Sequence, residues 1–90
     1  MPKYLIEREL PGAGKLGSGD YRSISQKSNG VIQALGPRIQ WIHTYVTDDK
    51  LYCVYVAPDE KVIREHARQG GFPVTNVMQI RGMMEPATAE

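Results

Sequence analysis

Two runs of strong β-formers, Arg38 to Thr47 and Leu51 to Ala57, are separated only by Asp48-Asp49-Lys50, and so short a link requires an antiparallel hairpin. The acidic turn residues suit a tight reversal. The arms carry Ile39, Trp41, Ile42, Tyr45 and Val46 on one side and Leu51, Tyr52, Val54 and Tyr55 on the other. An isolated hairpin is marginal in water, so the rest of the chain must cover it. Lys3 to Leu10 sets Tyr4 and Ile6 against Lys3, Glu7 and Glu9, the near alternation of a first strand. Pro11 ends that strand, and Gly12, Gly14, Gly17 and Gly19 predict a mobile loop.

From about Asp20 the pattern turns helical. Tyr21, Ile24, Ser28, Val31, Ile32 and Leu35 recur at three- and four-residue steps, with Ser18 or Asp20 as cap and Gly36-Pro37 as stop. After the hairpin, Pro58 opens a second helix, capped by Asp59, with Val62, Ile63, His66 and Ala67 on one face and Gly70-Gly71 at its end. Val74 to Met84 supplies a fourth strand, and Glu85 to Glu90 a polar tail. The order β-α-β-β-α-β predicts an α+β, ferredoxin-like sandwich: one four-stranded antiparallel sheet with both helices on one face. Simple alternation along Arg38 to Thr47 puts Trp41 and Tyr45 on one face and Ile42 and Val46 on the other. A sheet apolar on both faces needs a second cover, and a face-to-face homodimer, a dimeric α/β barrel, is the simplest supply.

Ninety residues suit a single domain spanning 1–90. Eleven Lys and Arg against 10 Asp and Glu give a net charge of +1, which argues against a nucleic-acid footprint. No run approaches the ~18 consecutive apolar residues of a membrane span. Met1-Pro2-Lys3-Tyr4 leads straight into a strand without the apolar region of a signal peptide, and one cysteine cannot form an intramolecular bridge. A cytoplasmic setting is expected.

Both histidines and the cysteine lie between residues 43 and 66, and imidazole and thiolate are good ligands for borderline and soft metals. His43, mid-strand among aromatics, is expected to be partly or wholly buried. A two-residue loop pairs Tyr45 with Tyr52 and His43 with Val54. A three-residue loop pairs Tyr45 with Cys53 and His43 with Tyr55, and only that register puts His43 and Cys53 on one side of the sheet. Cys53 sits among apolar neighbours, with no flanking base or helix start to activate it, so packing is its default role. His66 belongs to the apolar stripe of the second helix, where a histidine is more often structural than ligating. Glu65 next to it faces about 100° away. Glu7 and Glu9 share one face of the first strand, with Arg8 opposite; they supply oxygen ligands or simply face water. Gly12-x-Gly14-x-x-Gly17 matches a dinucleotide fingerprint, but no parallel βαβ unit or acid at the required distance accompanies it. It reads as a strand-to-helix loop.

Tyr4 to Gly14, Trp41 to Thr47, Lys50 to Pro58, Ile63 to Ala67 and Gly71-Phe72-Pro73 together resemble a family of short bacterial proteins long filed as a domain of unknown function. The resemblance spans nearly the whole chain. It implies a ferredoxin-like fold, a dimer and, from an actinobacterial member described as nickel-responsive and nickel-binding, a nickel or similar divalent transition-metal site. The candidate ligands at matching positions are His43, Cys53 and His66, with Glu7, Glu9 and Tyr45 behind them. Two other functions compete: a small-molecule enzyme of isomerase or oxygenase type, with Trp41, His43, Tyr45 and Tyr52 lining a pocket against the partner subunit and His43 as base, and a non-catalytic ligand-sensing or interaction module.

Overall fold

The computed structural model describes residues 1–90. Its strands are β1 (Lys3–Glu9), β2 (Gln40–Val46), β3 (Lys50–Val56) and β4 (Asn76–Ile80), and its helices α1 (Ser18–Leu35) and α2 (Glu60–Gly70). Short 3-10 turns occupy Ala13–Lys15 and Pro86–Ala89. The strands form one sheet in the order β2-β3-β1-β4, and every neighbouring pair is antiparallel. This is the α+β arrangement that the element order predicts.

One side of the sheet carries Tyr4 and Ile6 from β1 and Cys53 and Tyr55 from β3, opposite one another in register. Val62 and Ile63 of α2 join them in a single buried cluster, and Ile32 and Leu35 of α1 pack against it, so both helices lie on this side. Ile6, Ile39, Ile63 and His66 are the largest side chains wholly removed from water. The opposite side carries Leu5, Glu7, Tyr45, Tyr52, Val54 and Met78 and has no cover within the chain.

The turn register is the two-residue alternative: Tyr45 faces Tyr52, His43 faces Val54, and Thr47 N–H donates to the Lys50 carbonyl at 2.9 Å across Asp48-Asp49. The strand is not regular, however. The register breaks between Trp41 and His43, leaving Ile42 as an extra residue without a partner. A bulge of this kind resets the side-chain alternation. Trp41 therefore falls opposite Tyr55 on the helix side, and its indole N–H donates to Thr44 Oγ1 at 3.0 Å. Tyr45 points to the open side. The expected pairing of Trp41 with Tyr45 on one face is thus overturned by one inserted residue.

Three further expectations change. β4 stops at Ile80 rather than Met84, because Ile80 already pairs with Lys3, the first residue of β1, and nothing remains to pair with Arg81 onward. The strand-to-helix loop is not mobile but docked. Leu10 N–H and Gly14 N–H donate to the carbonyls of Asp49 and Asp48 at 2.9 Å each, and Gly12 N–H donates to Asp49 Oδ1 at 2.9 Å. A Cβ at Gly14 would lie 3.0 Å from Asp48 Cα, which explains the glycine there. Finally, α1 begins at Ser18, with the Asp20 carboxylate accepting from Gly17 N–H at 2.9 Å.

α2 follows its signals closely. The Asp59 side chain accepts from Val62 N–H at 3.0 Å, and at the other end Gly71 adopts φ 68° while Phe72 N–H reaches back to the Ala67 carbonyl at 2.8 Å. Replacing Asp59 by Ala should lower stability by about 1 kcal/mol. The check is the urea midpoint at unchanged slope; a midpoint equal to that of the wild type would show that the cap contributes nothing.

Candidate functional site

The helix side of the sheet holds an unusual row of polar groups. Arg8 is buried at 2% exposure, Ser28 at 4% and His66 at 0%. Each arises from a polar residue placed on an apolar stripe: Arg8 follows Tyr4 and Ile6 on the inward face of β1, Ser28 interrupts the stripe of α1, and His66 continues that of α2. Ser28 Oγ lies 3.2 Å from His66 Nε2 and 3.3 Å from the Tyr55 hydroxyl. Arg8 Nη1 donates to the Pro73 carbonyl at 2.8 Å. Two buried nitrogens, Arg8 Nη2 and His66 Nδ1, have no partner.

Phe72 organises this row. Its ring stacks on His66 at 5.4 Å between centroids, and the Arg8 guanidinium lies 5.6 Å from its centre. The two glycines before it serve different ends. Gly71 supplies the positive φ that ends α2, whereas Gly70 makes room for the ring, since a Cβ there would stand 2.2 Å from Phe72 Cε2.

Burial holds the His66 pKa below the ordinary histidine value, outweighing the Ser28 bond, and the nearby Arg8 charge pushes the same way. Burial likewise raises the Tyr55 hydroxyl pKa, against the opposing bond from Ser28. The row at neutral pH therefore combines a neutral imidazole, two protonated hydroxyls and one guanidinium cation. Ser28 and His66 have the separation of a nucleophile and its base. Unlike in a catalytic triad, however, no carboxylate orients the ring at Nδ1. What the row offers directly is a set of hydrogen-bond donors around one positive charge.

Beside it, between α1 and the sheet, is a cavity of about 400 Å³. Arg8, Ser28, Tyr55 and Phe72 form its polar end, Ile24 and Leu51 belong to its apolar wall, and the stretch of β2 from Trp41 to Thr44 closes one side. The cavity lies within one chain, on the helix side; of the four residues expected to line a pocket, Trp41 and His43 border it and Tyr45 and Tyr52 do not. It is not the pocket against a partner subunit that the enzyme reading anticipates.

The candidate metal ligands divide between the two faces. Cys53, at 3% exposure, and His66 are sealed on the helix side. His43, Tyr45, Glu7 and Glu9 lie on the open side. His43 is exposed rather than buried, because β2 is an edge strand and this face has no cover; its ring meets Tyr45 edge-on at 4.8 Å. The Glu7 carboxylate is already engaged, by Lys50 Nζ at 2.7 Å, Asn76 Nδ2 at 2.6 Å and the Tyr52 hydroxyl at 3.4 Å. The Lys50 bond, then that of Asn76, holds its pKa below the usual carboxylate value. Two strand steps separate His43 from Glu7, roughly 10 Å at ordinary strand spacing. Within one chain no three His, Cys, Asp or Glu side chains converge on a point that could hold an ion.

No helix is long and apolar enough to cross a membrane. In architecture the protein is a small ferredoxin-like α+β domain with a buried cation beside a partly open cavity. Its sequence matches the family described as nickel-responsive protein SCO4226-like over residues 4–80, and the chain belongs to that family. The crystal structure of SCO4226 from Streptomyces coelicolor A3(2) superposes with a TM-score of 0.76 at 9% identity, covering 91% of this chain and 99% of that one. At that identity the likeness concerns the fold. No curated protein sequence matches the chain.

The Arg8, Ser28, Tyr55 and Phe72 cluster is absent from the residues singled out by sequence. A signal did exist for two of them, a cation on the inward face of β1 and a hydroxyl on the apolar stripe of α1. The depressed pKa of His66 carries a pH dependence. The unfolded chain takes up the proton near 6.5, the folded chain only below it. Stability should therefore be complete well above that value and fall as the pH drops through it toward the lower folded-state pKa. His66→Gln should flatten the slope of unfolding free energy against pH in this window. A slope unchanged by the substitution would contradict a neutral buried imidazole.

Proposed function

We propose that this chain binds a divalent transition metal of the nickel kind at a site that two copies complete across the open face of the sheet, in a cytoplasmic setting. The carrying observation is the distribution of donors. His43 stands exposed on the open face while the donors on its own chain lie too far apart to converge. The same face leaves Tyr45 61% and Met78 45% exposed, apolar surface that a second copy would cover. A two-fold axis passing close to His43 would bring the two copies' imidazoles together, although each chain contributes one.

Nickel accepts imidazole nitrogen and carboxylate or phenol oxygen, often in square-planar or octahedral geometry. His43 is the nitrogen donor in this reading, and Tyr45 and the exposed Glu9 are its oxygen candidates. Glu7 would have to give up Lys50 to take part. Cys53 and His66 belong to the core and take no share in the site. Membership of a family described as nickel-responsive supports the same conclusion.

Calorimetric titration with nickel and with zinc, paired with light scattering for molecular mass, tests the reading. The expected result is a dimer binding one ion per pair of chains, with the affinity lost in His43→Ala and kept in Cys53→Ala. A chain that stays monomeric with saturating nickel, or a His43→Ala variant that titrates like the wild type, would overturn it.

A further inference from the structure

A guanidinium in a protein core is ordinarily matched by a carboxylate, because an unmatched buried charge costs several kcal/mol. Arg8 has no such match. No acidic side chain forms an ion pair with it, and Glu7 and Glu9, its neighbours in sequence, project to the other face of the sheet. Its partners are a single carbonyl, that of Pro73, and the face of the Phe72 ring, with Nη2 left over. At the same time Arg8 forms part of the wall of a cavity of about 400 Å³ that is otherwise mostly apolar. A fixed cation at the polar end of an apolar chamber is half of a recognition site.

We propose that this cavity binds a small amphipathic carboxylate, its apolar body against Ile24, Trp41 and Leu51 and its carboxylate on the guanidinium of Arg8. The charge count selects the head group. Arg8 is the one cation among the lining residues, Lys27 lying outside the lining on the Phe72 ring at 5.5 Å, so a single carboxylate matches the charge that faces the cavity. The hydroxyls of Ser28 and Tyr55 stand beside Arg8 in the same wall and supply further hydrogen bonds to the two oxygens. The volume sets the body. Taking ~30 Å³ per water-sized group, the chamber holds about a dozen non-hydrogen atoms, the size of a medium-chain or aromatic acid rather than a long-chain lipid. A metal cation is disfavoured here by the charge of Arg8. The two sites differ chemically although His43 borders both, and the carboxylate reading rests on Arg8 rather than on the proposed metal site.

Trp41 in the wall gives a direct readout, being the single tryptophan of the chain. Octanoate and octanamide, isosteric but differing in charge, are titrated into metal-free protein in the presence of a chelator while indole fluorescence is followed. Octanoate should bind saturably, and the amide about tenfold to a hundredfold more weakly, the usual worth of a charge-assisted hydrogen bond. Arg8→Met, which replaces the buried charge by an apolar chain of similar length, should still bind the amide and lose the preference for the acid. Equal affinity of wild type for the two probes, absence of saturable binding by either, or a preference for octanoate retained in Arg8→Met would each overturn the proposal. Should Arg8→Met fail to fold, the comparison of the two probes on the wild type decides alone.

Discussion

The parity of β2 governs what each surface of this protein can do. Side chains alternate across a strand, so the pairing of Tyr45 with Tyr52 assigns every residue from His43 to Val46 to a face, and the unpaired Ile42 reverses that assignment for Trp41. Without the extra residue, Trp41 would share the open side with His43 and Tyr45, and the helix side would lose an indole from its cavity wall. With it, the aromatic surface is split. Trp41 stacks toward Tyr55 inside, at 6.5 Å between ring centres, while Tyr45 and His43 remain outside.

The two faces follow different physics as a result. On the helix side Arg8, Ser28 and His66 are buried, so these polar groups act at reduced dielectric: the His66 pKa is lowered and that of the Tyr55 phenol raised. The open side is wet, and its charges are compensated locally. Lys50 and Glu7 form an ion pair there, with Asn76 and Tyr52 completing the carboxylate's bonds. Such a face suits association and ion binding, in which ligands exchange with water. The inner side suits selection of a small molecule by shape and charge. A protein of this size thus presents two unlike surfaces because its sheet is one layer thick and only one of its sides is covered by helices.

Glycine and phenylalanine after α2 illustrate how the inner site is assembled from local rules. Gly71 turns the chain by its left-handed φ, Gly70 omits the Cβ that would meet the ring, and Phe72 then lies against both His66 and Arg8. The following carbonyl, of Pro73, takes one arm of the guanidinium. A helix stop has become the lid of a charged group, with no element of its own devoted to the task.

Much of the architecture was legible in the residues. Hydrophobic period, turn chemistry and caps identify all four strands and both helices, since these are short-range properties, and the element order then restricts the topology. The buried position of His66 and the packing role of Cys53 were legible for the same reason. What the residues alone left open were relations between strands. The hairpin register, the bulge at Ile42, the early end of β4 and the docking of the Gly12 to Gly14 loop on Asp48 and Asp49 depend on which backbone groups are still unpaired once the sheet has formed. The same holds for the site. Sequence could mark Arg8 as a cation on an apolar face, but its lack of a carboxylate is a statement about distances in three dimensions, and only the packed structure decides it.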